Sequence, residues 1–376
     1  MYFDNAATTK PFEEIIDNIS SLISNNYANP NSIHKLGQEV KNQIEKVRID
    51  IASYLKINPE NLVFTSGATE GNNTILKSLL FKRDEDKEEI LISPIEHKSV
   101  LVPAKFLAQY GFKIKFLKID KNGRIDLEYL KKNISKRTAL VCVIHANNET
   151  GVIQDISSIS RICKEYDVLF FSDTVQSFLK EDFNSLDLDF FTISSHKINS
   201  LKGCGLLYVK DTQSITPLLH GGGQEHGIRS GTQNVEGILS FGIAFKKWVE
   251  NKNSFIDKLK SLRDLFEKSI KEKIPDVEIV SKNTDRICHI SNIIFPKVDA
   301  QSMIAALSSR GIYVSSGSAC TSGTPTPSHV LLAYGYSEEE ALRSIRFSFG
   351  IHNTSEEITE GIEIISKVFN MLYSLD

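Results

Sequence analysis

Ala139-Leu140-Val141-Cys142-Val143-Ile144 carries no alternation of polar and apolar residues. A run this short and uniformly apolar reads as a strand buried on both faces, as in parallel sheets covered by helices. Working outward, residues 156–166 have helical spacing, and Val168-Leu169-Phe170-Phe171-Ser172 is a second uniform run. Strand, helix, strand in that order is a crossover unit. The pattern extends on both sides, with strands expected at 62–65, 90–93, 113–117, 190–194 and 205–209 and helices at 70–81, 98–110 and 235–248. The expected fold class is α/β, with a mostly parallel sheet covered by helices. From about residue 250 the texture changes. A charged amphipathic helix at 253–271 is followed by short segments at 277–280, 287–294, 300–308 and 344–349, then a helix after Ser355. That reads as a smaller α+β domain. The expected division is a large domain over 14–250 and a small domain built from 1–13 and 251–376.

The chain has 376 residues, more than a single core usually organises, and 41% hydrophobic and 24% charged residues fit an ordinary soluble protein. A formal net charge of -3 argues against a broad nucleic-acid footprint. No run approaches the roughly 18 apolar residues of a membrane helix, and the first nine residues lack the apolar core of a signal peptide. The cysteines at 142, 163, 204, 288 and 320 are odd in number and widely spaced, without zinc-site spacing. A reducing, cytoplasmic location is therefore expected, with no resident metal.

Ligands of open α/β sheets collect beyond the carboxyl ends of the strands. Two such ends carry Asp173 and, in Ser194-Ser195-His196-Lys197, a lysine. A desolvated amine condenses with an aldehyde, and an acid facing a pyridine nitrogen makes the ring an electron sink. The pair reads as a site for pyridoxal 5'-phosphate held as a Schiff base; the alternative is a surface lysine and a strand-end cap. Thr65-Ser66-Gly67-Ala68-Thr69-Glu70-Gly71 opens a helix whose amides suit a phosphate, or is a turn capped by Thr69. His97 could stack on a ring and move protons, or be structural. Asn148, in Asn147-Asn148-Glu149-Thr150-Gly151, and Gln176 offer amides to a ring hydroxyl or carboxylate, or form turns. The glycine-rich stretch 221–232, ending in Thr232, suits approach to a phosphate or a partner chain, or serves as a linker. In Ser315-Ser316-Gly317-Ser318-Ala319-Cys320-Thr321-Ser322-Gly323, Cys320 alone among the cysteines lies in a small, polar segment where a thiol can react. Arg346 carries the guanidinium fork that matches a carboxylate, with a local ion pair as its alternative.

Taken together and in this order, these segments resemble the cysteine desulfurases of the pyridoxal-phosphate class V aminotransferase family. The likeness begins at Asp4-Asn5-Ala6-Ala7-Thr8-Thr9, continues through Ala28-Asn29-Pro30-Asn31-Ser32-Ile33-His34 and Glu96-His97-Lys98, and reaches residues 344–350. The cysteine segment is similar to the branch serving iron-sulfur cluster assembly and tRNA thiolation. The resemblance implies fold type I, a homodimer and a mobile cysteine loop at about 315–328. It implies that Lys197 binds the cofactor aldehyde, Asp173 faces the ring nitrogen, Gln176 meets the ring hydroxyl and His97 stacks and assists proton transfer. Ala68, Thr69, Ser194 and His196 would hold the phosphate, with Thr232 reaching it across the dimer interface. Asn148, next to the ring, and Arg346 would fix the carboxylate of L-cysteine. Cys320 would take the sulfur as a persulfide, contacting an iron-sulfur cluster at most transiently, and pass it to an acceptor protein. No nucleic acid or membrane is implied. Rival readings are a selenocysteine lyase, an aminotransferase, or a non-catalytic sulfur carrier or scaffold of the same fold.

Some positions depart from the family pattern. Thr174 stands where alanine is usual, Ser200-Leu201 replaces Gly-Pro, and Ile351 replaces an arginine. The sequence also ends at Ser374-Leu375-Asp376, short of the tail with which housekeeping members grip a scaffold, which leaves the acceptor open.

Overall fold

The computed structural model describes residues 1–81, 86–317 and 326–374. Seven strands form the large sheet: β1 (Leu62–Thr65), β2 (Glu89–Ile92), β3 (Lys113–Phe116), β4 (Thr138–Cys142), β5 (Leu169–Asp173), β6 (Phe190–Ser194) and β7 (Gly205–Val209). Their order is β1-β7-β6-β5-β4-β2-β3, parallel from β6 to β3 and antiparallel on both sides of β7. The uniform apolar runs at β4 and β6 are buried at every position, because helices cover both faces. Gly205 is required where β7 passes the start of the first crossover helix: a Cβ there would lie 2.4 Å from the Ile193 carbonyl oxygen.

The helices are α1 (Glu13–Asn25), α2 (Lys35–Leu55), α3 (Ala68–Phe81), α4 (Lys98–Ala108), α5 (Leu127–Asn133), α6 (Ile156–Glu165), α7 (Val235–Lys273), α8 (Ala300–Ser308), α9 (His329–Ala333), α10 (Glu338–Leu342) and α11 (Ser355–Tyr373). Asp126, Asp155, Asn234 and Asp299 cap α5, α6, α7 and α8 by accepting a backbone N–H in the first turn. Among the described residues no helix is long and apolar enough to cross a membrane.

A three-stranded antiparallel sheet, β8 (Glu278–Ile279), β9 (Ile290–Ile294) and β10 (Ser344–Ser348), has the order β10-β9-β8. The first residues of the chain join it: Phe3 N donates to Tyr313 O, Ser348 N to Phe3 O, and Asn5 N to Ser348 O. The two helices expected at 235–248 and 253–271 are one continuous helix, α7, and the expected boundary at 250 falls inside it. No proline or glycine interrupts 249–258. The apolar face fades there because no residue from Val249 to Lys258 is fully buried, while Trp248 and Leu259 on either side are. Two short apolar stripes therefore read as two helices.

A buried ion pair ties α2 to the glycine-rich stretch. Arg48 donates from Nη1 to Glu225 Oε2 at 2.7 Å and from Nη2 to Oε1 at 2.9 Å, and Phe64 N donates to the same carboxylate at 2.7 Å. Glu225 and His226 both have positive φ, 48° and 57°. Non-glycine residues hold this conformation only where surrounding contacts impose it. Arg48→Met should leave the Glu225 carboxylate buried without its charge partner, costing about 3–5 kcal/mol in urea unfolding. A loss below about 1 kcal/mol would contradict this role.

Candidate active site

The carboxyl ends of β5 and β6 meet the N-termini of α3 and α4 around a cavity of about 830 Å³. Ala68, Thr69, His97, Asn148, Asp173, Gln176, Ser194, His196, Lys197 and Arg346 all line it. Residues separated by more than 270 positions are thus brought into one cleft. Thr232 is exposed and outside the cavity within a single chain. Cys320 lies outside the described residues, but Ser315, Ser316 and Gly317, which lead to it, line the cavity wall.

Lys197 ends the single helical turn after β6, and its Nζ donates to the carbonyls of Ala6 at 2.5 Å and Ala7 at 2.6 Å. Burial first, then the positive charges of Arg346 and Lys180, push its amine down to about 7, against the pull of Asp4 and Asp173. The amine is therefore available as a nucleophile near neutral pH. Asp173, at the end of β5, is buried and accepts from Asn72 Nδ2 at 3.1 Å and Val175 N at 3.0 Å. Asn72 is completely buried on α3; it also donates to Ser99 Oγ and accepts from Thr192 Oγ1. Sequence reading missed it. Its only signal was an amide one turn after Ala68 on a face shared with Ile75 and Leu76.

His97 caps α4 through Nδ1, which accepts from Ser99 N at 3.1 Å. Burial lowers its pKa, although Asp173 pulls the other way. His196 is held by Thr8 at 3.1 Å and pushed down to about 4 by burial and the adjacent lysines. Both imidazoles are neutral at physiological pH, able to donate or accept. At the start of α3, Ala68 N donates to Ser194 Oγ at 3.0 Å, beside Gly67 with φ 151°. Amides, hydroxyls and a positive helix end converge here, the conditions that favour a phosphate.

Arg346 is buried on β10, pairing with Asp4 at 2.8 Å and donating to the Asn148 carbonyl at 2.9 Å. Its Nε is buried without a partner among the described residues. The local ion pair is formed, and the same side chain also lines the cavity. Glu149, within a quoted motif but given no role, is buried beside Asn148; burial raises its carboxyl to about 7, and Ser328 donates to it at 2.5 Å.

These groups fit pyridoxal phosphate. Gln176 donates to the Ala6 carbonyl, yet its Oε1 is buried without a partner at the cavity wall, an acceptor left over for a ring hydroxyl. An amine near pH 7, a buried carboxylate and a helix N-terminus match the aldehyde, ring nitrogen and phosphate of that one molecule. The other four cysteines, 142, 163, 204 and 288, are buried.

The family model for aminotransferase class-V matches residues 1–360. The chain belongs to this family. It is 36% identical to a protein named cysteine desulfurase IscS from Dictyoglomus turgidum, over all of this chain and 96% of that protein. A NifS-like protein of known structure superimposes with a TM-score of 0.92 at 34% identity, covering 99% of this chain and all of that one. The structure titled SspA in complex with cysteine gives a TM-score of 0.81 at 34% identity, covering 94% and 99%. The class-V fold assigned from the sequence, with its large mostly parallel sheet, is the one observed.

His145, beside this class-V site, is buried and pushed down to about 4. Its folded pKa lies below its unfolded value, so stability is lost as pH falls from about 6.5 towards 4, by roughly 3 kcal/mol. Urea midpoints for the wild type and His145→Gln should diverge less at pH 4.5 than at pH 7. Parallel pH dependences would contradict the buried, neutral imidazole.

Proposed function

We propose that this class-V protein is a cysteine desulfurase that converts L-cysteine to L-alanine and places the sulfur on Cys320 as a persulfide. The observation that carries the reading is one cavity joining the near-neutral amine of Lys197, the buried carboxylate of Asp173 and the residues leading directly to Cys320. The relatives named above, one of them solved with cysteine, support it.

When bound, pyridoxal phosphate supplies an electron sink for the carbon it activates. Asp173, held in place by Asn72, would face the ring nitrogen, and the unpartnered Gln176 Oε1 would meet the ring hydroxyl. The phosphate is assigned to Ala68, Thr69, Ser194 and His196. Asn148 and the free Nε of Arg346 bind the substrate carboxylate. Lys197 would hold the aldehyde when the cofactor is bound, and as the free base it would move the proton at the substrate Cα, with neutral His97 assisting. The Cys320 thiolate attacks the substrate sulfur: an S–S bond forms, the C–S bond breaks, and the electron pair stays with carbon, which is protonated to alanine. The balance is Cys320 thiol plus L-cysteine giving Cys320 persulfide plus L-alanine.

The remaining assignments belong to the same proposal. Thr232, exposed in the single chain, contributes to the phosphate site of a second copy in a homodimer. The bodies are a large domain at 14–250 and a small domain at 1–13 and 251–376, with α7 passing between them. Sulfur then goes to an acceptor of the iron-sulfur or thiolation type in the cytoplasm.

With pyridoxal phosphate, the wild type should show the Schiff-base absorbance band and release alanine and sulfide in equal amounts from L-cysteine and a thiol reductant. Lys197→Ala should lose the band. Cys320→Ser should keep it and lose sulfide release by about two orders of magnitude or more. A colourless wild type, or undiminished sulfide from the serine variant, would contradict the proposal.

A further inference from the structure

Lys180 is a buried lysine to which the reaction gives no part. It is 5% exposed, and its Nζ donates to the backbone carbonyl of Lys197 at 2.9 Å. On its other side is the Trp248 ring, 5.4 Å from Nζ to the centroid. Among the described residues it makes no ion pair. Among the described residues the acids next along the chain, Glu181 and Asp182, make no ion pair with it, and Asp182 pairs with Lys252 instead. The Cys288 thiol is pushed up to about 11 by burial, and His289 is buried with its pKa well below the ordinary value, so both are neutral. His196, pushed down to about 4, is neutral as well.

A buried cation without a carboxylate is unfavourable, and residues kept in such a state mark functional positions. Here burial lowers the Lys180 amine only to about 8, which leaves it mostly charged at neutral pH. The charge lies behind Lys197, the group whose free-base form the reaction needs. Lys197 is also faced by Arg346, a second like charge, and by Asp4 and Asp173, which oppose both.

We propose that Lys180 is a positioning residue for Lys197: buried behind it, its Nζ holds the Lys197 backbone carbonyl and sets a second like charge against the Lys197 amine. The inference rests on Lys197 being the cofactor-binding amine, and it assigns to this chain a second lysine that tunes the first.

The test measures the Lys197 amine directly. The full chain, freed of pyridoxal phosphate so that the Lys197 amine is open, is reductively methylated with isotope-labelled formaldehyde across a pH series, and labelling of the Lys197 peptide is quantified by mass spectrometry in the wild type, Lys180→Met, Lys180→Gln and Lys180→Arg. The labelling midpoint should rise by about one pH unit in the methionine and glutamine variants, and arginine should restore it. In the cofactor-loaded protein the absorbance midpoint, which reports the nitrogen joined to the cofactor, should also move upward in the uncharged variants. Glutamine keeps a donor for the Lys197 carbonyl without the charge, so it separates charge from simple packing. If the methionine variant does not fold, glutamine against arginine decides. Wild-type midpoints in the uncharged variants would overturn the proposal. A wild type that takes up no pyridoxal phosphate would sink the desulfurase reading, while the labelling series would still decide the role of Lys180.

Discussion

The contact on which the site depends is the reach of the Lys197 amine to the carbonyls of Ala6 and Ala7. Residues 3–5, just before those carbonyls, pair with Tyr313 and Ser348 beside the small sheet. One side chain therefore links the carboxyl end of β6 to a segment anchored elsewhere in the fold, and the cavity is the space enclosed between them. Gln176 adds a second tie to Ala6, and Arg346 reaches the same segment through Asp4.

Burial of charge then sets the chemistry. Lys197 is surrounded by more cationic than anionic influence, and desolvation works in the same direction, so its amine is a base at neutral pH rather than a fixed ammonium. Asp173 is held by two N–H donors, Asn72 Nδ2 and Val175 N, one to each carboxyl oxygen. A near-neutral amine and a buried, hydrogen-bonded acid in one cavity suit a carbonyl cofactor with a ring nitrogen.

Much of this was legible in the sequence because strands buried on both faces leave a local signature. β1, β6 and β7 lie where their apolar runs do. α1 and α2 were not assigned: Glu13–Asn25 buries only Ile15 fully, so its apolar face is thin. The residues at strand ends were legible as polar punctuation after apolar runs. Asn72 and Lys180 were not, since their meaning arises only when α3 meets β5 and when the turn after β5 passes behind Lys197. Thr232 is the reverse case, a residue noted from its motif whose assigned contact requires a second chain.

The class-V fold supports many reactions, and in the proposed site Lys197 with Asp173 would specify a cofactor rather than an outcome. The outcome rests on Cys320. The direct test is to give the cofactor-loaded protein stoichiometric L-cysteine carrying a heavy sulfur isotope, without reductant, and map the label by peptide mass spectrometry. The account predicts one heavy sulfur on the peptide bearing Cys320 and none on Cys142, Cys163, Cys204 or Cys288. Label on one of those four, or on no cysteine while alanine is formed, would contradict it.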